Sequence, residues 1–248
     1  MDISDLAAGG AYCGLDLSGV EFAERDLEGA TFTDCIFTDV QLSAVNLQAA
    51  TFTDCKFTRC RFAHADLRET TFTRCDFADP DSHSGVQIAF SQLDQARFTA
   101  CDLSFADIDR SSLYDVVFDN ANLRGARFHR ADFSRAFGAK VVRTTATFTA
   151  SNLELADLSD ARLATCDLAG SNLREADLTD ADLTGANLAD CDLFQALTGG
   201  AILTDADLRG AQVSGLRLAS LAAYDGLKVT LAQQQALLTA LGLDVHAD

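Results

Sequence analysis

Cations are scarce in this chain. Nineteen Lys and Arg stand against 37 Asp and Glu, a formal net charge of −18. Repulsion therefore excludes a nucleic-acid backbone as a direct partner. Proline is scarcer still: Pro80 is the only one. No apolar run approaches bilayer-spanning length, and the opening Met1-Asp-Ile-Ser-Asp-Leu6 has neither a basic n-region nor an apolar h-region. A soluble, cytoplasmic protein without membrane contact is expected. There is no CxxC, and His64, His83, His129 and His246 are dispersed, so no structural metal is expected. No Ser-His-Asp, paired-carboxylate or Gly-rich phosphate constellation stands out; Gly199-Gly200 is a defect beside Thr198. Neither enzyme activity, nor a catalytic residue, nor a cofactor is expected.

What the chain does have is Leu or Phe at every fifth position. From Leu17 the series runs Phe22, Leu27, Phe32, Phe37, Leu42, Leu47, Phe52, Phe57, Phe62, Leu67, Phe72, Phe77. It resumes from Ile88 to Phe133 and from Phe148 to Leu218, with Thr198 the polar exception. Period five fits neither a helix, where i and i+5 lie about 140° apart, nor a strand, where they face opposite ways. It fits a coil with a corner every five residues. Four sides make a square turn of about twenty residues, and turns stack at about 4.8 Å. Two residues before the centres sits a small residue, as at Ala30, Cys35, Val40, Val45, Ala50, Cys55 and Cys60, so large and small alternate inward; Leu15 and Arg25, near the N-terminal end, are the exceptions. Phe32, Phe52 and Phe72 should form one column, Phe37, Phe57 and Phe77 another, and Leu27, Leu47 and Leu67 a third. Glycines such as Gly19, Gly29, Gly170 and Gly185 fall at corners.

This register also accounts for the eight cysteines. Cys35, Cys55, Cys60, Cys75, Cys101, Cys166 and Cys191 take the small inward position, leaving Cys13 apart. Buried free thiols behaving as small hydrophobes are expected. Thirteen of the 37 acidic residues are the Asp just before a centre, where bonding to the corner backbone explains them without a partner.

Two breaks interrupt the series. Ala78-Asp-Pro-Asp-Ser-His-Ser-Gly-Val-Gln87 holds the proline and shifts the register by one; an outward loop is expected. Between Phe133 and Phe148 the expected centres are Gly138 and Arg143, which cannot fill a core, so a ten-residue bulge or a distorted half-turn fits. After Leu218 the repeat stops. Thr230-Leu-Ala-Gln233 reads as a capping box, Leu231, Leu237, Leu238 and Leu241 as an apolar face, and Gly242 as a helix end. A helix covering the open end could pair two tubes.

The repeat, as in Ala176-Asp-Leu-Thr-Asp180, resembles that of the pentapeptide repeat proteins, over about 13–218. The resemblance implies an all-β, right-handed quadrilateral β-helix of about ten turns. Residues 1–12 would be an N-terminal cap, 13–218 the coil with loops at 78–87 and 134–147, and 219–248 a capping helix and dimerisation segment. Met1-Asp-Ile3, the two loop positions, and Asp225-Gly-Leu-Lys-Val229 leading into Gln233-Gln-Gln-Ala-Leu-Leu238 are similar to the topoisomerase-protecting, Qnr-type group. That resemblance implies a homodimer joined through the C-terminal end by Leu231, Leu237, Leu238 and Leu241. It implies binding to DNA gyrase or topoisomerase IV where DNA would lie, with protection from quinolones or a natural poison. Asp79, Pro80, Asp81, Ser82 and His83 of the first loop, and Phe137, Gly138, Lys140, Val142 and Arg143 of the second, would touch the partner. Ten turns, about 48 Å at the strand spacing, match DNA carrying roughly 28 charges, the order of the net charge here. The alternative is a structural or interaction scaffold for an unrelated protein.

Overall fold

The computed structural model describes residues 6–79, 81–82, 84–138 and 141–246. Parallel pairing at an interval of twenty builds a four-sided coil. On the first side Tyr12 lies against Phe32, Phe32 against Phe52, and Phe52 against Phe72. Across the first break the interval grows to Phe72–Phe98, then returns to twenty at Phe98–Phe118. Across the second break Val117 pairs with Thr147. The ladder strands of this side form one seven-stranded sheet. Beyond it the side continues only as single bridges, Thr147–Asp167, Asp167–Asn187, Asn187–Asp207 and Asp207–Lys228. The expected stack of turns is thus sheet-like above and bridge-like below.

The core is a single cluster running from Leu6 to Leu237. All three expected columns form. Phe32 and Phe52 stack with ring centroids 4.8 Å apart, Phe52 and Phe72 at 4.9 Å, Phe37 and Phe57 at 4.6 Å, and Phe57 and Phe77 at 4.8 Å. The spacing is that of the backbone ladder, because each ring rides on its own rung. Neighbouring sides meet edge to face, as Phe32 does with Phe37 at 5.8 Å. The seven repeat cysteines are buried and free, and Cys13 is exposed. Burial pushes the Cys166 and Cys191 thiols up to about 12 and Cys60 to about 11.

The corners depart from the sequence expectation. Glycines do hold positive φ there, as at Gly29 (65°) and Gly170 (68°), but so do Asp34, Ala44, Ala49, His64 and Phe90 at 52–55°. Side chains rarely adopt this left-handed region. Here the backbone on both sides is fixed by the ladder, as where Asp34 N–H donates to Thr53 C=O and Asp39 N–H to Thr58 C=O. The stack overrides local preference.

The C-terminal helix spans Leu231–Ala240. Gln233 Oε1 accepts from the Thr230 N–H at 2.6 Å and from its hydroxyl at 2.9 Å. The same side chain turns its amide nitrogen into the tube end, donating to Leu208 C=O at 2.6 Å and Ala211 C=O at 2.8 Å. Gly242 takes φ 81° and its N–H returns to Thr239 C=O, closing the helix.

Candidate partner-binding surface

Both breaks form small antiparallel hairpins that leave the tube at its corners. In the first, Ala78–Asp79 pairs with Ser84–Gly85, and Val86 N–H closes the base on Phe77 C=O at 3.0 Å. In the second, Ser134–Ala136 pairs with Val142–Thr144, and Thr145 N–H closes on Phe133 C=O at 3.2 Å. The bridges Asn122–Asn152 and Arg127–Asp157 span thirty residues, so the insertion is a ten-residue bulge and not a distorted half-turn.

The hairpins present different chemistry. Asp79, expected among the partner contacts, is only 4% exposed. Its carboxylate accepts from the Ser82 hydroxyl at 2.8 Å and the Asp81 N–H at 3.1 Å, and lies 3.5 Å from Arg59. These donors, the Ser82 hydroxyl first, hold its pKa below the ordinary carboxylate range. Asp79 therefore shapes the hairpin from within, whereas Asp81 and Ser82 are exposed. In the second hairpin Phe137, Gly138, Val142 and Arg143 are all exposed. Phe137 meets Tyr114 edge to face at 5.7 Å, and the guanidinium groups of Arg135 and Arg143 lie 5.9 and 5.5 Å from its ring centre. Tyr114 and Arg135 escaped the sequence reading; Tyr114 belongs to the preceding turn, and only the stacking interval brings it under the insertion. Pro80, His83 and Lys140 lie outside the described residues.

The four helix leucines are not equally exposed. Leu237 is 6% exposed against the tube and so is closed to a second copy, because the helix lies across the end with Gln233 inward. Leu231 is 89% exposed, Leu241 is also exposed, and Leu238 is half-buried.

Most of the Asp residues before side centres do bond the corner backbone. Asp26, Asp66, Asp102, Asp157, Asp177 and Asp192 each accept from the N–H two residues on, at 2.9–3.2 Å. Asn152 and Asn172 make the same bond. The charge these carboxylates bring is not spread along the tube. Before Cys55 there are ten acidic residues and one cation, Arg25; from Thr144 to Leu216 there are twelve and three. Between Lys56 and Arg143, where both hairpins arise, twelve acids meet thirteen cations. The charge forms two acidic blocks around a neutral middle. Among the described residues no group of His, Cys, Asp and Glu is placed to hold a metal ion.

Sequence profiles described as pentapeptide repeat regions and pentapeptide repeats match residues 11–80, 93–136 and 156–219. A structure of full-length QnrB1, described as a plasmid-mediated fluoroquinolone resistance protein, is similar over 94% of this chain and 100% of its own, at 26% identity and a TM-score of 0.75. This chain is a pentapeptide repeat protein of the Qnr type. The pentapeptide repeat protein QnrB4 of Escherichia coli is 29% identical over 92 residues, covering 37% of this chain and 43% of that relative. A trypsin-treated form of QnrB1 superposes over 96% of this chain and 99% of its own with a TM-score of 0.68, at 24% identity, and speaks for the fold alone. The four-sided β-helix read from the period of five is therefore the fold this chain adopts.

Proposed function

We propose that this protein is a DNA mimic that binds a type II topoisomerase, DNA gyrase or topoisomerase IV, and protects it from quinolones or a natural gyrase poison. The observation that carries the reading is the near full-length likeness to QnrB1, a fluoroquinolone resistance protein. Surface charge supports it: the acidic blocks before Cys55 and after Thr144 offer carboxylates to a cationic DNA-binding groove. The hairpins add specificity that charge alone cannot, since many proteins are acidic. The exposed Leu231 at the covered end suits a C-terminal homodimer, which Leu231→Asp should convert to a monomer in light scattering.

The deciding experiment is gyrase supercoiling with a quinolone, with and without the protein. Removing 79–84 or 135–144 restores the interval of twenty across each break, so the tube should still fold. Either deletion should abolish protection while leaving the melting transition in place. Protection that survives both would assign the activity to the tube surface. If the intact protein neither binds nor protects any type II topoisomerase, it is a scaffold for another partner.

A further inference from the structure

The second hairpin marks a place where the coil itself is open. On the fourth side, Asn46 bridges Asp66, Asp66 bridges Gln92, Gln92 bridges Ser112 and Ser112 bridges Asp132. The next bridge would join Asp132 to Arg162, and among the described residues it is missing; pairing resumes at Arg162–Asp182. Elsewhere Arg110 N–H donates to His129 C=O and Leu113 N–H to Asp132 C=O. One turn later the corresponding N–H groups of Arg130, Phe133 and Arg162, and the C=O groups of Ala131, Ser159 and Arg162, find no backbone partner among the described residues. A cleft of about 450 Å³ lies there, lined by Phe128–Asp132 and Ser159–Arg162.

Four arginines without an ion pair among the described residues gather around this opening. Arg59, Arg68, Arg74, Arg124, Arg127, Arg174 and Arg209 each hold a carboxylate. Arg130 and Arg162 on the cleft wall, and Arg135 and Arg143 facing each other across the hairpin, are exposed and make no ion pair among the described residues. Two carboxylates share the cleft: Asp132, engaged by the Ser134 N–H and hydroxyl at 3.0 and 2.6 Å, and the exposed Asp160.

We propose that the opened wall and the root of the second hairpin form a docking site for an extended acidic peptide segment of the topoisomerase, a contact opposite in sign to that of the acidic blocks. Carboxylates of the segment pair with Arg130, Arg135, Arg143 and Arg162, and its main chain lies along the broken ladder. A peptide supplies both N–H donors and C=O acceptors to that ladder, whereas a phosphodiester supplies acceptors only. The acidic stretch that follows, twelve acids to three cations, repels a long polyanion but tolerates a short local run of charge. The partner's identity rests on the proposed function; the chemistry of the site does not.

The test separates the two. A dye-labelled peptide of alternating Asp and Glu, and oligothymidine of the same length, are titrated into the full-length protein at low salt and followed by anisotropy. Saturable peptide binding is expected, weakened at least about tenfold by R135E/R143E and again by R130E/R162E. R61E, at an arginine on another side with no ion pair among the described residues, should leave it unchanged; R130Q/R162Q replaces the reversal if that variant melts early. Peptide affinity indifferent to both arginine pairs, or binding of oligothymidine in place of peptide, would overturn the site. A wild-type protein that binds the peptide but no topoisomerase would overturn the proposed function and leave the site standing.

Discussion

Thr-Phe-Thr sides and Asp-Leu sides of this coil reach the same register by different local chemistry. Thr31-Phe-Thr33, Thr51-Phe-Thr53 and Thr71-Phe-Thr73 lie flat as three-residue strands. β-Branched residues on both flanks and a stacked ring inside favour that geometry. Sides such as those of Leu158, Leu178 and Leu183 instead follow an Asp that accepts from the backbone two residues on, and they close in a turn. There Ala161 N–H donates to Leu158 C=O, Ala181 N–H to Leu178 C=O, and Ala186 N–H to Leu183 C=O. The second device carries a negative charge each time it uses Asp, so the repeat itself supplies six of the twelve acidic residues between Thr144 and Leu216. Structural economy and surface electrostatics are coupled in this repeat.

The largest expected difference between the two kinds of side lies in the core. Phe52 stacks between Phe32 and Phe72, and both neighbours are held by their own rungs. Phe52→Ala should therefore cost about 3–5 kcal/mol, the upper range for a site that cannot collapse. Leu178→Ala leaves a smaller hole under a more tightly turned side and should cost about 2–3 kcal/mol. Denaturant melts of the two variants decide; a Leu178 loss as large as that at Phe52 would erase the distinction.

The tube end comes next. Gln233→Ala would strip the carbonyls of Leu208 and Ala211 of their side-chain donor, for about 1–3 kcal/mol. Hydrogen exchange should then rise first at the Leu208 turn. Unchanged protection there would mean that Leu237 packing alone holds the helix down.

These sites show how far the sequence could be read. Period five carried the side centres, the small inward register and the buried cysteines, because a stacked core fixes its spacing wherever no hairpin interrupts it. The non-glycine corners at Ala44 and Ala49 were invisible, since their conformation is imposed by the turns above and below rather than by their own preference. Gln233 was legible as a capping residue but not as the plug of the tube, a contact with residues 25 and 22 positions earlier. At the candidate surface the hairpin positions were legible from the broken register. Their contents were not: Asp79 turns inward, and Tyr114 joins Phe137 from the turn above.

Acid offers a smaller effect. Arg209 beside Asp207, bonded to both carboxylate oxygens, depresses the Asp207 pKa to about 2. A depressed carboxylate contributes stability that is full above its unfolded pKa, about 3.9, and is lost as pH falls through about 2. With Arg209 largely in solvent the contribution is screened and small. Arg209→Gln should lower the melting temperature slightly at neutral pH and converge with the wild type near pH 2. A gap that persists at low pH would point to packing of the arginine stem instead.

The smallest expected change in stability is also the one that best separates the two roles of the lower half. Asp157, Asp167, Asp177 and Asp182 each accept from the backbone N–H two residues on, at 2.9–3.1 Å. Asn keeps that acceptor and already serves at Asn152, Asn172 and Asn187. Its amide can also donate to the turn above, as Asn172 does to Asn152 at 3.0 Å. Replacing all four by Asn should therefore leave each site within about 0.5 kcal/mol of the wild type while removing a third of the acidic residues between Thr144 and Leu216. If that block meets a cationic groove, affinity for the topoisomerase should fall and its salt dependence should flatten, because fewer charges are attracted and screened. Protection retained with the same salt dependence would remove the lower block from the interface. A large melting shift would instead show that the carboxylate charge, and not the acceptor oxygen, holds these turns.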